Sequence, residues 1–147
     1  MAGIFFTWTN AVTPGIGKLK DLEYLSALQS MNRVILNRIF YTVFICPVFM
    51  LPLATVLNYN SANSLVFTLL LIASIIYLLG VFIITAAGNI PLNNVLDKSD
   101  LENFSLEDTR NLRSEIETKW NSFNLIRTIT SSISFMLLIL ICLLITN

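Results

Sequence analysis

The side chains best placed to do chemistry in this sequence are amides and one arginine beside long apolar runs. Trp120, Asn124, Arg127 and Ser131 are spaced i, i+4, i+7 and i+11, a single face of a helix. Thr85, Asn89, Pro91, Leu92 and Asn93 form a second group, Gln29, Asn32, Arg33 and Asn37 a third, and Thr7, Trp8, Asn10 and Thr13 a fourth. An unsatisfied amide or charge in apolar surroundings costs several kcal/mol, so groups of this kind need partners or a ligand. Meeting at one end of a helix bundle, the four groups would form a recess. There amides donate and accept, Arg127 supplies a fixed positive charge, and Trp8 and Trp120 supply flat apolar walls. On that reading Arg127, Asn89 and Asn124 are the candidate catalytic residues, and Trp8, Asn10, Gln29, Asn32, Asn93 and Trp120 bind substrate. Each residue taken singly also has a plainer role: Asn caps helix ends, Trp anchors at the headgroup level, and Arg snorkels towards phosphate.

Composition narrows the chemistry. The sequence has no histidine, which removes the commonest ligand for zinc, copper and haem iron and any Ser-His or Cys-His dyad. A metal site would need carboxylates alone, and neither metal nor cofactor is expected. Cys46 and Cys142 lie in apolar runs, where a thiol behaves as a small hydrophobe. Nine basic and nine acidic residues leave zero net charge, which points to no nucleic-acid partner. The chain is 55% hydrophobic and 12% charged, against about 25% charged in an ordinary soluble domain, and its mean hydropathy is +0.74. Lipid is the expected solvent. The expected partners are membrane lipid, a lipophilic small molecule, and a membrane-protein partner or a second copy of the chain.

The elements that must position these residues are helices. A span needs about 20 mainly apolar residues to cross a core of about 30 Å, and residues 39–57, 65–87 and 126–145 qualify. The first contains Pro47 and Pro52, which a helix tolerates where neighbours satisfy the freed carbonyls. The second is expected to end at the Asn89 group, with Pro91 blocking its continuation. Residues 1–12 are apolar but stop at Thr13-Pro14-Gly15-Ile16-Gly17, too short to span and without the basic leader of a signal peptide. The expectation is that Met1 is an internal or trimmed start, and that the first helix begins about ten to fifteen residues earlier.

This gives an all-α fold class: an integral membrane four-helix bundle with a truncated first helix, one transmembrane domain over residues 1–147, and short amphipathic helices in two charged connections. All Lys, Arg, Asp and Glu fall in residues 14–38 and 88–127. Both stretches are therefore expected on the cytoplasmic side, with the termini opposite. Asp21 is expected to cap a helix through Asn32. Ser105-Leu106-Glu107-Asp108 loosely matches a capping box for a helix running from Leu106 through Trp120 into the last span.

With these residues in view, the chain resembles the anthrone oxygenase-like family of small four-helix membrane proteins, particularly its many bacterial members. The resemblance covers nearly the whole chain. It rests on Ala2-Gly3-Ile4-Phe5-Phe6 followed by Pro14-Gly15, on Tyr24 with Leu28-Gln29-Ser30-Met31-Asn32 and Asn37, and on Gly88-Asn89-Ile90-Pro91-Leu92-Asn93. The last piece is Trp120-Asn121-x-x-Asn124-x-x-Arg127-Thr128. The resemblance implies a bacterial inner-membrane location and cofactor-independent oxidation of a lipophilic aromatic or quinone-like molecule, as the fungal namesakes oxidise an anthrone to an anthraquinone. Such a substrate loses a proton to give a carbanion that reacts with oxygen directly, so the protein need only supply a base, stabilise the anion and exclude water. Arg127 suits the anion, with Asn89, Asn93 and Asn124 as donors; Glu23 and Glu117 are the nearest acids in sequence, and solvated carboxylates are poor bases here. The competing reading is a non-catalytic accessory subunit or lipid-binding module of a membrane complex. Transport is disfavoured, because no ionisable residue lies deep in a span.

Overall fold

The computed structural model describes residues 1–60 and 64–146, and among them every regular element is helical. α1 (Ala2–Thr7) passes without a break through a π-helical stretch (Trp8–Val12) into α2 (Thr13–Ile16). A bend leads to α3 (Asp21–Ile35) and then α4 (Arg38–Leu57), whose first turn is capped by the Asn37 Oδ1 accepting from the Phe40 amide at 3.0 Å. α5 (Ser64–Tyr77) runs through two π-helical stretches (Leu78–Ile83 and Thr85–Asn89) into α6 (Ile90–Lys98). After a single 3₁₀ turn at Leu101–Asn103, α7 (Leu106–Thr146) continues for 41 residues.

Three of these rods, Arg38–Leu57, Ser64–Lys98 and Leu106–Ile145, are long and apolar enough to cross a membrane. This fits an integral membrane protein. The second is 35 residues long, roughly 50 Å at about 1.5 Å per residue, against about 30 Å of hydrocarbon. It and α7 therefore have length to spare, and the surplus is where the charged residues lie. α7 is the central rod, packing against α1, α3 and α5, while α4 leans on α5 and α6 on α3.

Two regions of core follow. Along the apolar half, Phe5, Phe44, Leu51, Tyr77 and Val81 pack together. The few polar groups inside pair locally: Thr55 Oγ1 lies 2.9 Å from Ser74 Oγ, Ser134 Oγ donates to the Ala73 carbonyl, and Tyr77 Oη donates to the Phe44 carbonyl at 3.2 Å. Beyond it, Tyr24, Leu25, Leu28, Leu96, Leu101, Ile116 and Trp120 form a second core in which α3 and α6 cap the outer half of α7. Arg113 fixes this cap. It donates to the carbonyls of Gly17 and Leu19 at 2.8 Å each, to Asp21 at 3.0 Å and to Glu117 at 2.7 Å, and its guanidinium lies over the Tyr24 ring.

The structure departs from the sequence reading at two boundaries. The rod after α5 does not stop at Asn89; it continues to Lys98 with Pro91 in the first turn of α6. A proline there costs little because its missing N–H belongs to a turn whose hydrogen bonds the π register has already shifted. Asp21 is the first residue of α3 rather than its cap, since Lys20 takes the cap position and the Glu23 carboxylate accepts from the Lys20 amide. At the start of α7 the box closes as read, with Asp108 accepting from both the Ser105 amide and hydroxyl and the Ser105 hydroxyl accepting from the Asp108 amide. Those bonds hold the Asp108 carboxyl below its ordinary value.

Two stability predictions follow from this packing. A Cβ on Gly80 would sit 2.6 Å from the Thr130 Cβ, whereas one on Gly3 would meet nothing within 4 Å. Gly80→Ala should lower thermal stability in detergent by about 1–3 kcal/mol, with Gly3→Ala as the near-neutral control. Burial, reinforced by the Glu117 charge and opposed by Arg113, holds the Tyr24 phenol protonated above its ordinary 10.0, and its hydroxyl has no partner. The unfolded chain gives up that proton first, so stability should fall as pH rises above 10.0. Tyr24→Phe should flatten that alkaline loss and leave neutral-pH stability unchanged or up to about 1 kcal/mol higher; an unfolding titration showing a loss of about 2 kcal/mol or more would mean the hydroxyl does have a partner.

Candidate functional site

Where the cap meets the apolar half, α1, α4, the second π stretch of the α5 rod and α7 fail to close on one another. They leave a cavity of about 210 Å³. α4 lies against α5 as far as the Phe44–Phe82 ring contact, and past that level Phe40 and Tyr41 stand across open space from Thr85, Asn89 and Ile90. The exposed Leu36, Tyr41, Ile90 and Asn94 form its rim, and the buried Phe5, Phe44, Thr85, Asn89, Asn124 and Arg127 form its depth. For scale, an engineered apolar cavity of about 150 Å³ holds benzene. One aromatic ring fits inside this one, and a fused ring system would reach into the mouth.

Of the residues singled out in the sequence, Trp8, Asn32, Asn89, Asn93, Trp120, Asn124 and Arg127 all line the cavity. Asn10 and Gln29 do not. Asn10 is exposed on the other side of the first π stretch. Gln29 Nε2 donates to the carbonyls of Leu96 at 2.7 Å and Ser99 at 3.3 Å, which ties α3 to the end of α6. Asn121, next to Trp120, does not line the cavity.

Arg127 is the centre of the arrangement and only 6% exposed. Its Nη2 donates to Asn124 Oδ1 at 2.8 Å and its Nη1 lies 3.5 Å from Thr85 Oγ1. The guanidinium carbon sits 4.6 Å from the Phe5 ring centroid and 5.6 Å from that of Trp120. Nε is enclosed without a partner. Among the described residues no Asp or Glu pairs with Arg127; the ion pairs are Arg33–Asp97 and those of Arg113 with Asp21 and Glu117. A buried ion left so costs several kcal/mol, and cation–π contacts return about 0.5–2 kcal/mol each. The site is therefore electrostatically short of one negative charge.

Asn124 holds this arginine to α1. Its Nδ2 donates to Thr9 Oγ1 at 2.8 Å and to the Phe5 carbonyl at 3.3 Å, and Thr9 Oγ1 lies 2.8 Å from Thr128 Oγ1. Trp8 meets Trp120 at 5.2 Å between centroids. Trp120 Nε1 donates to Asn93 Oδ1 at 2.8 Å, and Asn32 Nδ2 donates to the same oxygen at 3.1 Å. Asn89 Nδ2 reaches the Trp120 carbonyl at 3.4 Å, while its Oδ1 has no partner.

Thr85, of the group read around Asn89, also lines the cavity, and the aromatic walls Phe5, Phe40, Tyr41 and Phe44 were not singled out in the sequence. The aromatic spacing of residues 40 and 44 was a readable signal. The π-helical stretches were not, yet they flank the cavity and carry Trp8, Thr85 and Asn89. The Thr13 hydroxyl marks the first of them, donating five residues back to the Trp8 carbonyl at 3.0 Å. Such bulges recur at functional sites because the extra residue re-aims side chains. No group of three or more His, Cys, Asp or Glu able to hold a metal occurs among the described residues.

A family model described as anthrone oxygenase matches residues 35–137. The chain belongs to the anthrone oxygenase family. That match takes in α4, the α5 rod, α6 and the cavity-lining part of α7, and so includes Asn89, Asn93, Trp120, Asn124 and Arg127. No curated protein and no solved structure matches this family member.

Replacing Asn124 in this anthrone oxygenase family member by Leu should cost about 2 kcal/mol in a thermal or denaturant unfolding series, because Thr9 and Arg127 would both lose a buried partner. Asn121→Leu should cost less than half as much.

Proposed function

We propose that this protein oxidises a lipophilic aromatic or quinone-like substrate in the Arg127 cavity without a bound cofactor, by letting dioxygen meet a stabilised carbanion. The observation that carries this reading is the buried guanidinium with no carboxylate beside it, facing aromatic walls. An aromatic ketone bearing an acidic CH₂ offers what that site lacks, an apolar body whose enolate oxygen develops negative charge. Donors fixed in a water-poor site stabilise such charge far more than water does.

The chemistry balances without further reagents. The CH₂ loses a proton, the enolate passes an electron pair to O₂ to form a hydroperoxide at that carbon, and loss of water leaves a carbonyl. The sum is CH₂ plus O₂ giving C=O plus H₂O. No Asp, Glu or Lys lines the cavity. The proton is therefore assigned to water at the rim, with Arg127 making the substrate more acidic rather than a side chain acting as a strong base.

Supporting inferences concern placement. α1, packed along α7, is read as the fourth member of a bundle with α4, the α5 rod and α7. The cap carries the charged residues and is assigned to the cytoplasmic side of a bacterial inner membrane, so the mouth would open near the headgroups, where a greasy planar molecule gathers. Lipid surrounds the apolar flanks, which could also take a membrane-protein partner or a second copy. The absence of a carboxylate from the cavity wall also favours the second reading, a non-catalytic accessory or lipid-binding module that holds the same ligands without turning them over.

Oxygen uptake and quinone formation with emodin anthrone separate the two. Purified protein should consume oxygen above the spontaneous rate. Arg127→Met should lose about a hundredfold or more of that excess, as when an oxyanion donor is removed, and Arg127→Lys should retain part of it. Unchanged uptake in Arg127→Met would remove the arginine from the reaction, and ligand binding without any uptake would establish the second reading.

A further inference from the structure

Amide side chains can usually be turned end for end without violating the coordinates, so which atoms of Asn93 and Asn32 donate must come from their partners. Here the partner decides. The Trp120 indole is a donor only, and it reaches Asn93 at 2.8 Å. The Asn93 atom facing it must be the oxygen. Asn32 also meets that oxygen, at 3.1 Å, so it must offer its nitrogen. Two atoms are left over by this logic, the Asn93 Nδ2 as donor and the Asn32 Oδ1 as acceptor. Neither has a protein partner among the described residues. Neither is among the wholly enclosed polar atoms, unlike Asn89 Oδ1 and Arg127 Nε. Both residues line the cavity.

We propose that Trp120, Asn93 and Asn32 form a polarity-setting relay that reads a hydroxyl group on the ligand. A phenolic hydroxyl donates one hydrogen bond and accepts others, so one such group can accept from Asn93 Nδ2 while donating to Asn32 Oδ1. An ether oxygen can only accept, and a bare ring edge does neither. The inference rests on reading the Arg127 cavity as the ligand site. It adds that Asn93 and Asn32 hold the hydroxyl, that the Asn32 acceptor alone discriminates against an ether, and that Trp120 is a positioning residue that sets which way the amide pair faces. A buried donor or acceptor left without its partner is penalised more than a satisfied one is rewarded, so discrimination should exceed what the ring system alone provides.

The test uses the full chain in nanodiscs. Its two tryptophans, Trp8 and Trp120, both line the cavity, so their fluorescence quenching reports occupancy. The probes are 2-hydroxyanthraquinone and 2-methoxyanthraquinone, below the pH at which the phenol ionises. Wild-type protein should bind the phenol at least about fivefold more tightly, one net hydrogen bond or more. Asn32→Ala removes the acceptor that only the phenol can use while the Trp120 indole still fixes Asn93, and should bring the ratio near one. Trp120→Phe keeps a ring and leaves Trp8 as reporter; the Asn93–Asn32 pair can then reverse as a unit and still offer one donor and one acceptor, so the ratio should hold, and its collapse would overturn the amide pair as the source of discrimination. In Asn32→Ala a purely structural loss would weaken both probes alike and leave the ratio unchanged, which would overturn the relay. Equal affinity of the two probes for wild-type protein would overturn it too, even with oxygen uptake on emodin anthrone intact. Discrimination without uptake would support the relay while the oxidation reading fails, and no binding of either probe would overturn both.

Discussion

A positive charge buried where nothing neutralises it is the constraint from which the rest of this structure can be argued. Arg127 sits at the point where α7 passes from the charged cap to the apolar half, held by Asn124 and by the faces of Phe5 and Trp120. Had the fold needed only stability, an apolar residue would fill the space at lower cost. The surrounding choices make sense as ways of keeping the guanidinium dry yet oriented. Asn124 spends its amide on α1, the π stretches bring Trp8 and Thr85 inward, and the aromatic walls offer π faces rather than opposite charges.

The cap matters to the cavity as much as the membrane-length rods do. Arg113 closes the bend between α2 and α3 by gathering two carbonyls and two carboxylates, and Gln29 fastens α3 to α6. These bonds place Asn32 and Asn93 opposite each other across a distance that neither helix could fix alone. Arg33 with Asp97 repeats the tie on the exposed side, where an ion pair adds little by itself.

Much of this was legible in the residues and some was not. Hydropathy over about 20 residues locates the three rods, because lipid leaves no other way to satisfy a backbone. The i, i+4, i+7 spacing of Trp120, Asn124 and Arg127 placed them on one helix face, and that face does border the cavity. Asn10 and Gln29 misled for a shared reason: an amide near a site looks the same in sequence whether it points into it, out to solvent or along a neighbouring helix end. The length of the α5 rod was hidden because Pro91 reads as a stop, and only the preceding π stretch makes it harmless. Phe40 and Phe44 lay unremarked within the 39–57 span, because hydropathy cannot tell a ring against a void from a ring against an acyl chain.

The π turn at Thr85–Asn89 carries a further implication for how the chain tolerates change in length. An α-helix advances about 100° per residue, and a π turn absorbs one residue more than an α turn would. Removing a single residue there would let ordinary helical pairing resume with α6 near its present orientation, whereas removing one from a purely α-helical turn would swing everything downstream by roughly that angle. What a deletion in the π turn would lose is the inward aim of Thr85 and Asn89, which that turn presents to the cavity. Loops elsewhere in proteins absorb insertions and deletions easily; here the register of one uninterrupted rod is itself part of the binding surface.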